Sequence, residues 1–292
     1  MIVDCHTRIW TSPSQLGRDA VAGSGVRADE ARHLEAVDPV DKAIVLAFKS
    51  RYLEAEIPNR LVADYVRRNP AKIIGFAGID PLDRDWPRDL RTAHEELNLK
   101  GVVVAPEMQN CHPADTRAMR LYEECLQRGL PVLFEQGHRH PAAKMELAEP
   151  VLLDEVAREF PELRIVISHM GHPWIEQTVV LLAKHRHVYA DVAGLLPQPW
   201  LSYTALLAAH EYGVIDKLLF GSDFPYRHPA ACIEALYSVN QFSHGGNLQP
   251  IPREQLRGVV ERDALTLLGI AGGNAPAGSN AKPRQAIFAE DE

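Results

Sequence analysis

Eight times along the chain a short apolar run gives way to a longer amphipathic stretch. The runs fall at residues 1–5, 42–48, 73–79, 101–104, 130–134, 163–167, 187–191 and 217–221, and most are rich in Val and Ile. Continuous apolar runs of this length suit parallel strands covered on both faces. Between them, Asn59–Arg68 places Leu61, Val62, Tyr65 and Val66 at helical spacing. Residues 115–128 repeat the pattern with Met119, Tyr122 and Leu126, and 151–160 with Leu152, Val156 and Phe160. Asn69-Pro70, Leu130-Pro131 and Phe160-Pro161 each stop a helix just before a strand. Alternation at roughly 25 to 40 residues predicts an α/β fold, a closed (β/α)8 TIM barrel in preference to an open doubly wound sheet.

Residues 1–270 read as one barrel domain. Two segments fall outside the alternation. Residues 11–38 form an insertion after the first strand, with a surface loop at 17–25 and a short helix at 29–37. Residues 271–292, rich in Gly, Ala, Asn and Pro, read as a flexible tail.

Composition narrows the function classes. The 292 residues carry a net charge of −8, which argues against general binding to nucleic acid or an anionic membrane. A small anionic substrate stays compatible, because a local pocket can oppose the global sign. The longest apolar runs are far too short to span a bilayer. Cys5, Cys111, Cys125 and Cys232 form no CxxC pair, and no secretory signal is read at the start. The expectation is a reducing, cytoplasmic setting. The barrel class and the protruding 11–38 segment suggest a homodimer.

In such a barrel the reactive positions are the last residues of the strands and the loops behind them. The first run ends in Asp4-Cys5-His6-Thr7-Arg8, the fifth in Glu135 with His138, Arg139 and His140 behind it. The sixth ends in Ser168-His169-Met170-Gly171-His172, the eighth in Ser222-Asp223-Phe224-Pro225-Tyr226-Arg227-His228. Histidine, carboxylate and arginine thus converge on one rim from strands far apart in the chain. Asp4 reads as a hydrogen-bonding strand-end residue and Cys5 as a small buried hydrophobe. Trp10, just after the first strand, is placed to line a pocket.

With these motifs the chain resembles the amidohydrolase superfamily, and more narrowly the branch of aminocarboxymuconate semialdehyde decarboxylase and pyrone dicarboxylate lactonase. The segments around His169-Met-Gly-His-Pro-Trp and Phe-Gly-Ser-Asp223-Phe-Pro carry the resemblance, which extends from Met1 to about Ile270. It implies metal-binding histidines in a His-x-His arrangement on strand one, one histidine each on strands five and six, and an aspartate on strand eight. His6, His169 and Asp223 match that pattern. Arg8 stands where the second histidine is expected, and Glu135 where strand five has its histidine.

Arginine has no lone pair to offer a cation, whereas glutamate can ligate. Two readings follow. Either His6, Glu135, His169 and Asp223 hold a divalent metal, Zn²⁺ or Mn²⁺, with Arg8 orienting Glu135 or a substrate carboxylate. Or no metal binds, and Arg8 supplies the positive charge. In both, Asp223, His169 and His6 are the expected catalytic residues, and Arg8, His172, Arg139, Arg227 and Trp10 the expected substrate-binding ones. The expected reaction is hydrolysis of a lactone, ester or amide bond in a small carboxylated molecule. Non-oxidative decarboxylation on the same scaffold, or a catalytically silent ligand-binding barrel, are its rivals.

Overall fold

The computed structural model describes residues 1–17, 25–135 and 140–270. The expected tail at 271–292, and part of the surface loop at 17–25, lie outside the described residues. Eight parallel strands follow one another in chain order: β1 (Val3–Thr7), β2 (Lys42–Leu46), β3 (Ile73–Gly78), β4 (Val102–Val104), β5 (Val132–Phe134), β6 (Ile165–Ile167), β7 (Val188–Asp191) and β8 (Leu218–Leu219). Every neighbouring pair from β1 to β8 is parallel. The last gap is bridged by the backbone: Cys5 N–H donates to Phe220 O at 2.9 Å, Asp223 N–H to His6 O at 3.0 Å and Arg8 N–H to Phe224 O at 2.9 Å. The sheet is therefore a TIM barrel.

Side chains alternate across each strand, so each contributes to two cores. Val3, Cys5, Ile44, Leu46, Phe76, Val103, Leu133, Val166, Tyr189 and Leu219 pack together as one layer, which takes in Ala264 and Leu265 from the helix Ala264–Leu267 and Leu268 just after it. Their strand neighbours, such as Val102, Val104, Val132 and Phe134, join the larger cluster with the surrounding helices. Both faces of the short strands are apolar for this reason, and they read in sequence as unbroken runs.

The first run extends further than its apolar residues suggest. β1 continues through Asp4, His6 and Thr7, all buried, and its pairing with β2 breaks register between Asp4 and Thr7. Irregularities of this kind re-aim side chains, and His6 lies within the span of this one. The second run was expected to end at residue 48. It ends instead at Leu46, and Phe48–Ser50 turns out to pair antiparallel with Ala55–Ile57 as a hairpin outside the barrel. Gly78 is what lets that hairpin close in, since a Cβ there would sit 2.5 Å from the Phe48 backbone.

Among the described residues of the insertion after β1, a helix is docked on the barrel. This helix, α1 (Glu30–Ala36), capped by Asp29, buries His33 between the barrel and α2 (Asn59–Arg68). Thr7 Oγ1–H donates to Ile44 O at 2.7 Å, so Thr7 accepts from His33 Nε2–H at 2.9 Å. His33 Nδ1 then accepts from the Tyr65 hydroxyl at 2.9 Å. The neutral ring satisfies both nitrogens, and burial pushes its pKa from 6.5 down to about 3. The folded protein therefore leaves His33 neutral where the unfolded chain takes up a proton. Stability from this group is complete above pH 6.5 and is lost as pH falls through that window toward 3. We expect urea unfolding of the wild type to weaken by up to about 1.4 kcal/mol per pH unit there, relative to His33→Gln. Parallel pH profiles for the two proteins would remove this account of how α1 is docked.

Candidate functional site

The ends of β1, β5, β6, β7 and the turn after β8 meet around two imidazoles. The rings of His6 and His169 lie with centroids 4.7 Å apart, tilted by 37°. His6 Nδ1 is 3.0 Å from Asp191 Oδ2, and His169 Nδ1 is 2.8 Å from Ala193 O. A carbonyl can only accept, and Asp191 is held ionised. Its burial would raise it, but His6 in particular, with its hydrogen bond, pulls it below the usual carboxylate range. Both rings consequently carry their proton on Nδ1, and both Nε2 atoms are left to the site.

Glu135 faces those nitrogens. Its Oε1 is 3.4 Å from His169 Nε2 and its Oε2 is 3.6 Å from His6 Nε2, while the Arg8 guanidinium makes a short ion pair with Oε2. Burial alone would raise Glu135, but Arg8 and the two histidines outweigh it and hold the carboxyl far below its ordinary range. Burial would likewise lower His169. Glu135, then Asp223 and Asp191, more than offset this and lift it to about 9. His6 is raised in the same way, chiefly by Asp191 and Glu135 against burial. Asp223 goes the other way: burial raises it, and the nearby histidines only partly counter this.

The backbone under these groups is unusual. His169, Met170 and Gly171 are three consecutive left-handed residues at φ 54°, 50° and 66°, and Asp223 sits at φ 66°. Left-handed conformations cost a non-glycine residue of order 1 kcal/mol or more and are kept where the surroundings enforce them. Gly194, at φ 70°, gives these side chains room, because a Cβ there would lie 3.1 Å from His169 Nδ1 and 3.5 Å from Asp223 Oδ2.

His6, His169 and Asp223 each bring one donor atom within 4.8 Å of the others. Two Nε2 atoms, each offering a lone pair once its ring gives up the Nε2 proton and each backed by an acceptor on Nδ1, form with one carboxylate a donor set that fits a divalent cation. Glu135, the expected fourth ligand, lies beside that trio. Glu135 is gripped by Arg8, and a guanidinium on one of its oxygens competes directly with a cation. Glu135 stands against two of these three donors, with its Oε2 paired to Arg8.

The other expected residues are distributed unevenly. Trp10 is buried, with its ring 6.2 Å from that of Tyr226. Arg8 lies over the Phe48 ring at 5.6 Å, so the unforeseen hairpin supplies its platform. His172 follows the left-handed turn, its N–H donating to His169 O at 3.0 Å. Arg227 is exposed, with Nη1 donating to Tyr226 O at 3.1 Å. Arg139, like His138, lies outside the described residues. Asp4 hydrogen-bonds at the strand end, accepting from Ser222 N–H at 2.9 Å and His6 N–H at 3.2 Å. Burial, against Ser222 and His6, pushes it up to about 6. Asp191 was not among the candidates, although it closes its strand as the other polar residues close theirs.

Among the described residues no helix is long and apolar enough to cross a membrane, and all four cysteines are buried free thiols. No curated protein matches the chain in sequence. Solved structures resemble it in fold. A probable 2-pyrone-4,6-dicarboxylic acid hydrolase from Acinetobacter baumannii, solved with citric acid, is 14% identical, with 92% of this chain and 99% of that one covered and a TM-score of 0.66. A 5-carboxyvanillate decarboxylase from Sphingomonas paucimobilis is 16% identical over 92% and 99%, with a TM-score of 0.64. A dihydroxybenzoic acid decarboxylase from a Polaromonas species, solved with manganese and 2-nitroresorcinol, is 15% identical over 93% and 98%, with a TM-score of 0.65. The amidohydrolase family model matches residues 3–270, and the chain belongs to that family.

Proposed function

We propose that this chain is an enzyme that hydrolyses a lactone, ester or amide bond in a small carboxylated substrate bound at the barrel mouth. The observation that carries the reading is the gathering of His6, His169 and Asp223 within 4.8 Å beside the Arg8–Glu135 pair. Asp223, its carboxyl raised by burial, is the base that takes a proton from the attacking water. His6 and His169 turn Nε2 toward the reacting carbonyl, where a ring carrying a proton on both nitrogens donates to the developing oxyanion. The same two atoms and Asp223 would hold a divalent ion, Zn²⁺ or Mn²⁺. When bound, such an ion supplies Lewis-acid polarisation and a more acidic water. Arg8 is the anchor for the substrate carboxylate, exchanging one carboxylate partner, Glu135, for another. Trp10 forms the apolar wall.

Non-oxidative decarboxylation is the second reading. It is favoured by the decarboxylases from Sphingomonas and Polaromonas that share the fold. The two readings part in product. Protein purified without chelators, assayed for metal and then screened against lactones and carboxylated phenols, releases acid in one case and CO₂ in the other.

On the active substrate we expect Asp223→Asn to lose about 100- to 10,000-fold in kcat with its far-UV spectrum unchanged. Near wild-type turnover in that variant would overthrow the assignment of the base. Arg8→Met is expected to raise KM roughly 10- to 100-fold, by a larger factor than it lowers kcat. A charged hydrogen bond made equally in ground and transition states contributes to binding alone. A variant that loses kcat and keeps KM would show that Arg8 is no anchor.

A further inference from the structure

We propose that Asp191 is the positioning residue of this site, one carboxylate orienting both of its imidazoles. The inference rests on the reading of His6 and His169 as the working groups. Its argument is geometric. Asp191 Oδ2 accepts from His6 Nδ1 at 3.0 Å. Its Oδ1 accepts from two backbone amides, His169 N–H at 2.9 Å and Ala193 N–H at 3.1 Å. The carboxylate is fully buried.

Each contact does a separate task. The bond to His6 selects the Nδ1–H tautomer of the neutral ring and turns the Nε2 lone pair into the site; this is the less populated form of a free histidine, so something must hold it. The bond to His169 N–H ties down the first of the three left-handed residues at the end of β6. An ionised acceptor on that amide is a charge-assisted bond of the kind needed to offset such backbone strain. The bond to Ala193 N–H folds the chain after β7 so that Ala193 O comes to His169 Nδ1 at 2.8 Å. The second ring is therefore set through the same residue, one peptide removed.

The tautomer can be read directly. Long-range ¹H–¹⁵N correlation spectra of the metal-free full chain at alkaline pH, where the ring is neutral, are assigned by the signal missing in His6→Gln. We expect wild-type His6 as the Nδ1–H form, and Asp191→Asn, whose amide can donate to Nδ1, as the Nε2–H form. Zn²⁺ affinity measured against a chromophoric chelator is expected to fall by about 10- to 100-fold in Asp191→Asn. Wild-type His6 in the Nε2–H form would overturn the inference even if the variant fails to fold. An unchanged tautomer or unchanged Zn²⁺ affinity in a folded variant would do the same. None of these readouts needs turnover, so an inactive protein with the expected tautomer would sink the proposed reaction and leave Asp191 in place.

Discussion

The barrel mouth is organised by the mutual compensation of buried charge. Glu135, Asp191, His6 and the largely buried His169 and Arg8 are taken out of water at one end of a sheet whose other residues are mostly apolar. An isolated buried ion of either sign costs several kcal/mol even after relaxation. The cost is met here by a closed circuit. Arg8 faces Glu135, Glu135 faces both Nε2 atoms, and Asp191 takes the Nδ1 proton of His6. Removing any member exposes the others to an uncompensated charge. Arg8 and Glu135 thus act as a matched pair, a fixed cation and the anion that balances it.

This circuit also explains why the net charge of −8 says little about the ligand. The carboxylates at the mouth are spent on internal partners. Glu135 is held ionised only because Arg8, His6 and His169 surround it, and His169 is held near 9 because the carboxylates surround it. An incoming anion that takes over Arg8 releases a partner of Glu135 and shifts every other member. Recognition and the state of the histidines are linked through shared electrostatics, with no moving part required.

How much of this was legible in the chain follows from what each residue spends its side chain on. Strands buried on both faces must be apolar along their length, so β2 to β7 stood out as runs in the correct order. Asn59–Arg68 stood out because one face of a helix packs and the other does not. β1 was cut short because Asp4, His6 and Thr7 look like the end of a strand, although each finds its partner inside. The hairpin at Phe48–Ser50 was absorbed into β2 because its apolar pattern continues across the break. His6, Arg8, Glu135, His169 and Asp223 were visible as polar residues at the ends of apolar runs. Asp191 carries the same signal at the end of β7, a lone carboxylate closing a buried run. His33 gave no signal, because what it touches, Thr7 and Tyr65, is set by how α1 docks.

The Arg8–Glu135 pair also bears on which reaction the site favours. A guanidinium bound to the carboxylate that is to depart as CO₂ stabilises a charge that vanishes in the transition state, and so raises the barrier. A carboxylate held by Arg8 is better used as a handle that keeps its charge throughout, with the reacting bond at the far end, beside His6, His169 and Asp223. Hydrolysis meets that condition directly: charge develops on the carbonyl oxygen, where two imidazoles converge, and the proton leaves toward Asp223. Decarboxylation meets it only if the departing carboxylate sits at the imidazole end while Arg8 holds a different anionic group or stays closed on Glu135. On this argument we propose hydrolysis as the first reaction to test, on residues that could serve either chemistry.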